Sequence, residues 1–191
     1  MREIFIQQLQ AYIPFNEQEE RDRDLILAMV ESHEDIFTRE NSVAHITSSA
    51  WVTNKEHTKV LMAYHNLYDS WAWLGGHNDG NEDCLAVAIK EVKEESGIQE
   101  VIPVSKQIFS VEVLTVDGHI KKGKYVSSHL HLNVTYLLEA DDTLEISNKE
   151  DENSAVGWFT LDQAVEKSTE PWFKENVYSK LNKKLRSSNY S

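Results

Sequence analysis

Four glutamates at fixed intervals mark the stretch of this chain whose residue types and spacing could do chemistry. From Gly75 to Ile98 it reads GGHNDGNEDCLAVAIKEVKEESGI. Five residues separate Gly76 from Glu82, and seven separate Glu82 from Lys90. Glu91, Val92, Glu94, Glu95, Gly97 and Ile98 follow. Leu85, Ala88, Ile89 and Val92 recur at helical spacing, which predicts a helix over about 83–96 with one apolar stripe. On that helix Glu91, Glu94 and Glu95 fall within one arc of roughly 100°, away from the stripe. Like charges at this spacing do not stabilise a helix. A divalent, oxygen-preferring cation removes the repulsion, and magnesium is the usual partner for such carboxylates beside substrate phosphates. A solvated glutamate-rich face is the plainer reading of any EVKEE run. The glycine pair at a fixed distance upstream argues against it here.

These glutamates need a frame. Gly75-Gly76 reads as a turn, and Asn81 as the N-cap of the helix. Ser96-Gly97 reads as its stop, with Gly97 in the left-handed conformation. The whole stretch resembles the Nudix box, G-x5-E-x7-R-E-U-x-E-E-x-G-U, where U is a bulky apolar residue. Gly76, Glu82, Glu91, Val92, Glu94, Glu95, Gly97 and Ile98 match it, and Lys90 stands where the box has arginine.

The resemblance implies an α/β fold, a Nudix-type α/β/α sandwich with a mixed sheet. It implies a Mg2+- or Mn2+-dependent hydrolase that cleaves the diphosphate bond of a nucleoside diphosphate linked to a moiety X. Glu91, Glu94 and Glu95 would be the metal ligands, with the Gly76 backbone approaching the metal. Glu94 or Glu95 would serve as general base, and Glu82 would support the loop or the metal shell. Lys90 would orient a box glutamate more loosely than arginine, because it offers a point charge in place of a planar fork. The alternative is a Nudix domain that binds a ligand without turnover, as a sensor. Such a domain would often have lost box carboxylates, and this one keeps them all.

Composition limits the partners. A chain of 191 residues with 40% hydrophobic content and five tryptophans can bury a real core. A net charge of −13 discourages nucleic acid, capped RNA included, and anionic membranes. The expected partner is a small nucleotide-type molecule, with a homodimer possible. The lone cysteine, Cys84, allows no intramolecular disulfide and reads as a small buried filler. With no apolar signal region and no run of membrane-spanning length, the default expectation is a cytoplasmic setting.

Along the chain, Phe5, Leu9, Tyr12 and Ile13 share a helical spacing that Pro14 ends. Asn16 with Glu19 looks like a capping box for a second helix, with Leu25, Ile26, Met29 and Val30 facing inward. Residues 1–41 are therefore expected to be a helical extension packed on the core. A Nudix domain is expected over 42–168, and a C-terminal helix and tail over 169–191. Strands are expected at 45–52, 59–65, 71–74, 108–116, 128–139 and 155–159, with a polar, mobile loop around Lys121–Tyr125. Helix is expected from Leu161 to Lys167 and from Trp172 to Leu185. Trp51, Tyr64, Trp71 and Trp73 could stack on a base, but core packing is the default for aromatics in strands.

Of the eight histidines, His129 and His131 alternate along a strand and share one face. The better functional reading for them is contact with phosphate or ribose, since no third zinc ligand is evident. His77 follows the box glycine and is placed near substrate by position alone. In the acidic loop Glu150, Asp151 and Glu152 could supply a further metal ligand or the base. Glu152 is favoured because it lies closest to the following strand.

Overall fold

The computed structural model describes residues 1–66, 69–121, 123–148 and 153–187. Two helices, α1 (Arg2–Ala11) and α2 (Glu17–Ser32), precede β1 (Ala44–Thr53), β2 (Lys59–His65), β3 (Ser70–Ala72) and β4 (Leu74–His77). Helix α3 (Cys84–Ser96) leads to β5 (Val101–Pro103), β6 (Ser110–Val116), β7 (His119–Lys121), β8 (Lys124–Val126), β9 (His129–Ala140) and β10 (Asn153–Thr160). The chain closes with α4 (Leu161–Lys167), α5 (Pro171–Phe173), a π-helical turn over Lys174–Tyr178 and α6 (Ser179–Ser187).

Eight strands form one mixed sheet in the order β10-β2-β1-β9-β5, with β3 on β2, β4 on β1 and β6 on β9. β1 and β9 run parallel from Ala44 opposite Leu130 to Thr53 opposite Glu139. The other pairs are antiparallel. Alternation along each strand sorts side chains onto two faces. Ile46, Ala50 and Val52 of β1, with Leu132 and Val134 of β9, join Phe5, Leu9, Ile26, Val30, Ala88 and Val92 in one core. Trp51 of β1 and Leu137 of β9 join Leu161, Ala164, Val177, Tyr178, Leu181 and Leu185 in the other. Helices α1, α2 and α3 thus cover one face, and α4 with the C-terminal helices covers the other. This is the expected α/β/α sandwich with its N-terminal helices.

Several local expectations shift. Asn16 caps α2 by accepting the Glu19 N–H at 2.9 Å. The Glu19 carboxylate, however, accepts from Phe15 N–H at 2.7 Å and does not close a capping box on Asn16. Ile13 is exposed because it lies beyond the end of α1, and Leu25 is exposed because the buried stripe of α2 is narrower than its apolar content suggests. The Lys121–Tyr125 region is not an open loop. It lies in a β7–β8 hairpin that pairs Lys121 with Lys124 and Ile120 with Tyr125. The expected helix over 172–185 is split by the π-helical turn.

A buried polar network ties the two ends of the chain to the sheet. Lys184 Nζ lies 2.7 Å from Glu19 Oε1, and Lys180 Nζ lies 3.0 Å from Glu112 Oε1 and 3.3 Å from Glu19 Oε1. Tyr12 Oη donates to Glu19 at 2.7 Å, and Asn133 and Thr135 each donate to Glu112 Oε2 at 3.0 Å. Burial alone would raise the Glu19 pKa, but Lys180 and Lys184 outweigh it and hold the carboxyl below its ordinary value. Breaking such a pair strands a charge in the core, which costs far more than the intact pair contributes.

Candidate active site

Helix α3 starts two residues later than the Asn81 cap would have it. Asp83 is the N-cap, its Oδ1 accepting from Ala86 N–H at 3.0 Å, and Asn81 Oδ1 instead accepts from Asp83 N–H at 2.9 Å. Gly97 ends the helix at φ 76°, with its N–H donating to Lys93 at 3.0 Å. Ala88 and Val92 are fully buried against the sheet, and Leu85 and Ile89 pack beside them. The same rotation grades the three carboxylates. The Glu95 residue is 6% exposed, and the side chains of Glu91 and Glu94 are 12% and 40% exposed.

Gly75 and Gly76 do not form a turn. They lie within β4, paired with Ser49 and Ser48 of β1. Close approach explains both glycines. A Cβ on Gly76 would sit 2.7 Å from Cδ and 2.8 Å from Oε2 of Glu91. A Cβ on Gly75 would sit 2.6 Å from the Ser48 carbonyl oxygen and from the Ser49 Cα. The bare strand therefore lets the Glu91 carboxylate lie against the backbone, while Gly75 N–H donates to Glu95 Oε2 at 3.2 Å. Lys90 Nζ lies 3.3 Å from both Glu91 Oε1 and Glu94 Oε1. Burial is the largest single influence and opposes its charge, but Glu91 and Glu94 together outweigh it and hold its pKa above the usual lysine value.

Glu82 lies outside α3. It accepts the Arg2 N–H at 2.9 Å, at the positive end of α1, and Arg2 Nε lies 3.4 Å from its other oxygen. Glu150, Asp151 and Glu152 lie outside the described residues. The residues flanking them are tied to the end of α3: Ser147 N–H donates to Ser96 at 2.9 Å, and Asn153 Nδ2 to the Glu95 carbonyl at 3.3 Å. Cys84 is buried, and burial pushes its thiol up to about 12, which suits a filler and not a nucleophile. Trp51 is fully buried and stacks on Tyr178 at 5.5 Å, and Trp71 and Trp73 pack on Phe159 and Phe173.

His77 and His131 meet at 3.2 Å between their Nε2 atoms, and His129 Nε2 lies 3.2 Å from His131 Nε2. A further residue, His45, joins them, its ring 5.1 Å from that of His131 and 4.9 Å from that of His129. Sequence reasoning missed His45, because only the parallel pairing of β1 with β9 sets it opposite His131. Burial, followed by the positive charge of neighbours such as Arg39, takes His77 down to about 3. Burial and the adjacent histidines take His131 down to about 2. The His77 and His131 rings are therefore neutral at physiological pH. They occupy the sheet face opposite α3, since Gly76 points at Glu91 and His77 is the next residue along the strand.

Fold and site together define a mixed-sheet α/β domain that presents a carboxylate-bearing helix to a bare glycine strand. The NUDIX domain family model matches residues 43–181, and the chain belongs to that family. The match runs beyond residue 168 into α6. An RNA pyrophosphohydrolase from Pelagibacter ubique (strain HTCC1062) is 29% identical over 140 residues, spanning 71% of this chain and 87% of that protein. The E. coli dihydroneopterin triphosphate pyrophosphohydrolase superposes with a TM-score of 0.53 at 16% identity, over 71% of this chain and 92% of that one. A Nudix hydrolase from M. smegmatis does so with a TM-score of 0.52 at 15% identity, over 75% and 86%. At these identities the two structures speak for the fold alone. No helix among the described residues is long and apolar enough to cross a membrane.

Proposed function

We propose that this chain is a divalent-metal-dependent pyrophosphohydrolase acting on a nucleoside diphosphate linked to a second group. The observation that carries this reading is the seating of Glu91 in the space a Gly76 side chain would fill, beside Glu95 on the Gly75 amide. The donor set fits the metal: Glu91, Glu94 and Glu95 offer oxygen alone, which suits magnesium or manganese. Nudix hydrolases generally use divalent metals. A bound divalent ion supplies positive charge against the diphosphate and acidifies water.

The chain's own residues do the rest. Glu91, wedged against the strand, fixes one carboxylate with little freedom to reorient. The Gly75 N–H orients Glu95. Lys90 lowers the cost of bringing Glu91 and Glu94 together before any ion binds. Glu94 or Glu95 accepts the proton of the attacking water, with Glu152 the loop candidate because both flanks of its segment are tied to α3. Glu82, engaged with α1, holds the loop ahead of the helix.

The test is a screen of nucleotide sugars, dinucleoside polyphosphates, ADP-ribose and nucleoside triphosphates with magnesium or manganese, read by phosphate-containing products. Metal-dependent ligand binding without product from any of them would support the sensor reading instead. A second substrate class, an RNA 5′ end, is favoured by the activity named for the Pelagibacter relative. The net charge of −13 opposes it. An oligoribonucleotide with a 5′-triphosphate, added to the same screen, separates the two.

A further inference from the structure

We propose that His45, His77, His129 and His131 form a binding site for a divalent transition ion of the zinc class, across the sheet from the α3 carboxylates. The first argument is convergence. The ligand atoms of His45, His77 and His131 all lie within 4.8 Å of one another. The two Nε2–Nε2 separations around His131 are both 3.2 Å. Two imidazole nitrogens bound at 2.0–2.1 Å to a tetrahedral zinc stand about 3.3 Å apart, so the pairs are already at ligand spacing.

Proton placement gives the second argument. A ring nitrogen facing a carbonyl oxygen must carry the hydrogen. His45 Nδ1 lies 3.1 Å from the Asn41 carbonyl oxygen, and His129 Nδ1 lies 2.8 Å from that of Ser127. In its neutral form each of these rings then presents a bare Nε2 lone pair to the cluster. His131 Nε2 has a ring nitrogen on either side and at most one proton to share between them. His45 Nε2 is buried and has no hydrogen-bond partner among the described residues, in a residue only 4% exposed. Buried acceptors facing one another lack a cation. A carbonyl on the outer nitrogen is also the arrangement that fixes the tautomer of metal-bound histidine.

Donor type selects the ion. Neutral imidazoles suit zinc, copper and nickel, whereas magnesium prefers oxygen. Arg39, whose charge acts on His45 and His77, is paired with Asp79 at 2.7 and 2.5 Å, which reduces its opposition to a bound cation. Lys121 opposes more weakly, from the exposed β7–β8 hairpin. An ion here would join β1, β4 and β9, and so brace the strand that seats Glu91 and Glu95.

The test uses the full chain without a polyhistidine tag, stripped with chelator and titrated with zinc at neutral pH in excess magnesium. We expect about one zinc per chain, not displaced by magnesium, and a raised Tm. His45→Gln and His131→Asn should each weaken zinc binding at least about tenfold. Glu91→Gln and Glu95→Gln should leave the zinc stoichiometry unchanged. Cobalt in place of zinc should give the visible absorption of a nitrogen-ligated tetrahedral ion in the wild type, which decides the matter if either histidine variant fails to fold. The proposal is overturned if the wild type binds no zinc or loses it to magnesium. Unchanged binding in folded histidine variants, or binding lost with the glutamates, overturns it equally.

Discussion

Neighbouring glycines of one short strand should fail in opposite ways when given the same methyl group. In Gly76→Ala the new Cβ meets the far end of a flexible side chain, Glu91 Cδ at 2.7 Å. Ordinary contact begins near 3.4 Å, so the carboxylate must retreat by about 0.7 Å. The φ of Gly76 is not in the left-handed region, and the alanine reduces unfolded-state entropy. Stability should change by less than about 1 kcal/mol. A displacement of that size in the carboxylate proposed to hold the metal should cost roughly 100-fold in kcat/KM. In Gly75→Ala the clash is with backbone, the Ser48 carbonyl oxygen and Ser49 Cα at 2.6 Å. Neither can move without parting β4 from β1, so overpacking should cost about 1–3 kcal/mol. Urea denaturation and steady-state kinetics on an active substrate, run on both variants, check the contrast. A Gly76→Ala protein with wild-type turnover and wild-type magnesium response would refute the placement of Glu91 in the site.

Magnesium at a hundredfold excess over its Kd should stabilise the wild type by about 2.7 kcal/mol, and Glu95→Gln by clearly less, in thermal melts with and without the ion. Glu82→Gln should weaken its contact with the N-terminus of α1 by on the order of 0.5 kcal/mol and leave the magnesium response intact; a lost response would move Glu82 into the metal shell. Glu19→Gln leaves Lys184 buried against a neutral amide, while Lys180 keeps Glu112, and should cost about 3–5 kcal/mol by denaturant titration. The Glu19 carboxyl is depressed in the fold, so its contribution is present above its ordinary 4.5 and is lost as pH falls through the folded value; the wild type should lose that component below about pH 4.5 and Glu19→Gln should not. Cys84, with its thiol at about 12, should resist iodoacetamide at pH 8 until the protein is unfolded, as mass spectrometry would show.

The box was legible because its information is local. Helical spacing placed Ala88 and Val92 inward and the three glutamates together, and Gly97 announced its own left-handed cap. The glycine pair misled for a physical reason. Glycine marks both turns and close approaches, and only the third dimension shows that Gly76 makes room for Glu91, fifteen residues on. The Asn81 cap failed in a competition between two polar residues, which Asp83 won by reaching Ala86 N–H while Asn81 capped Asp83 itself. Lys180 and Lys184 carried no sequence signal of burial. Their carboxylate partners lie on β6 and α2, more than sixty residues away, and a lysine facing water reads the same.

The histidines show the same limit most sharply, and they change how the sheet is understood. His129 and His131 share a strand face by simple alternation, but two rings are too few for zinc. The remaining two come from β1 and β4, brought in by one parallel and one antiparallel pairing. Those pairings also bury Thr47, Ser48 and Ser49 in the middle of the sheet, where hydrophobic residues would be expected. Asn133 accepts from Thr47 at 3.0 Å and from Ser49 at 2.8 Å, and Asn78 from Ser48 at 2.7 Å. A polar strip thus runs along β1 and β9 from the histidines through Asn133 to Glu112 and the buried lysines. A sheet that satisfies so many polar groups internally gives up some hydrophobic burial, and gains in return one register in which the Thr47, Ser48 and Ser49 hydroxyls all find partners. A slip of one residue would turn His45, Thr47 and Ser49 towards α3 and leave Asn133 without them. That fixed register holds β4, and with it the two glycines, at the depth where Glu91 and Glu95 can reach them.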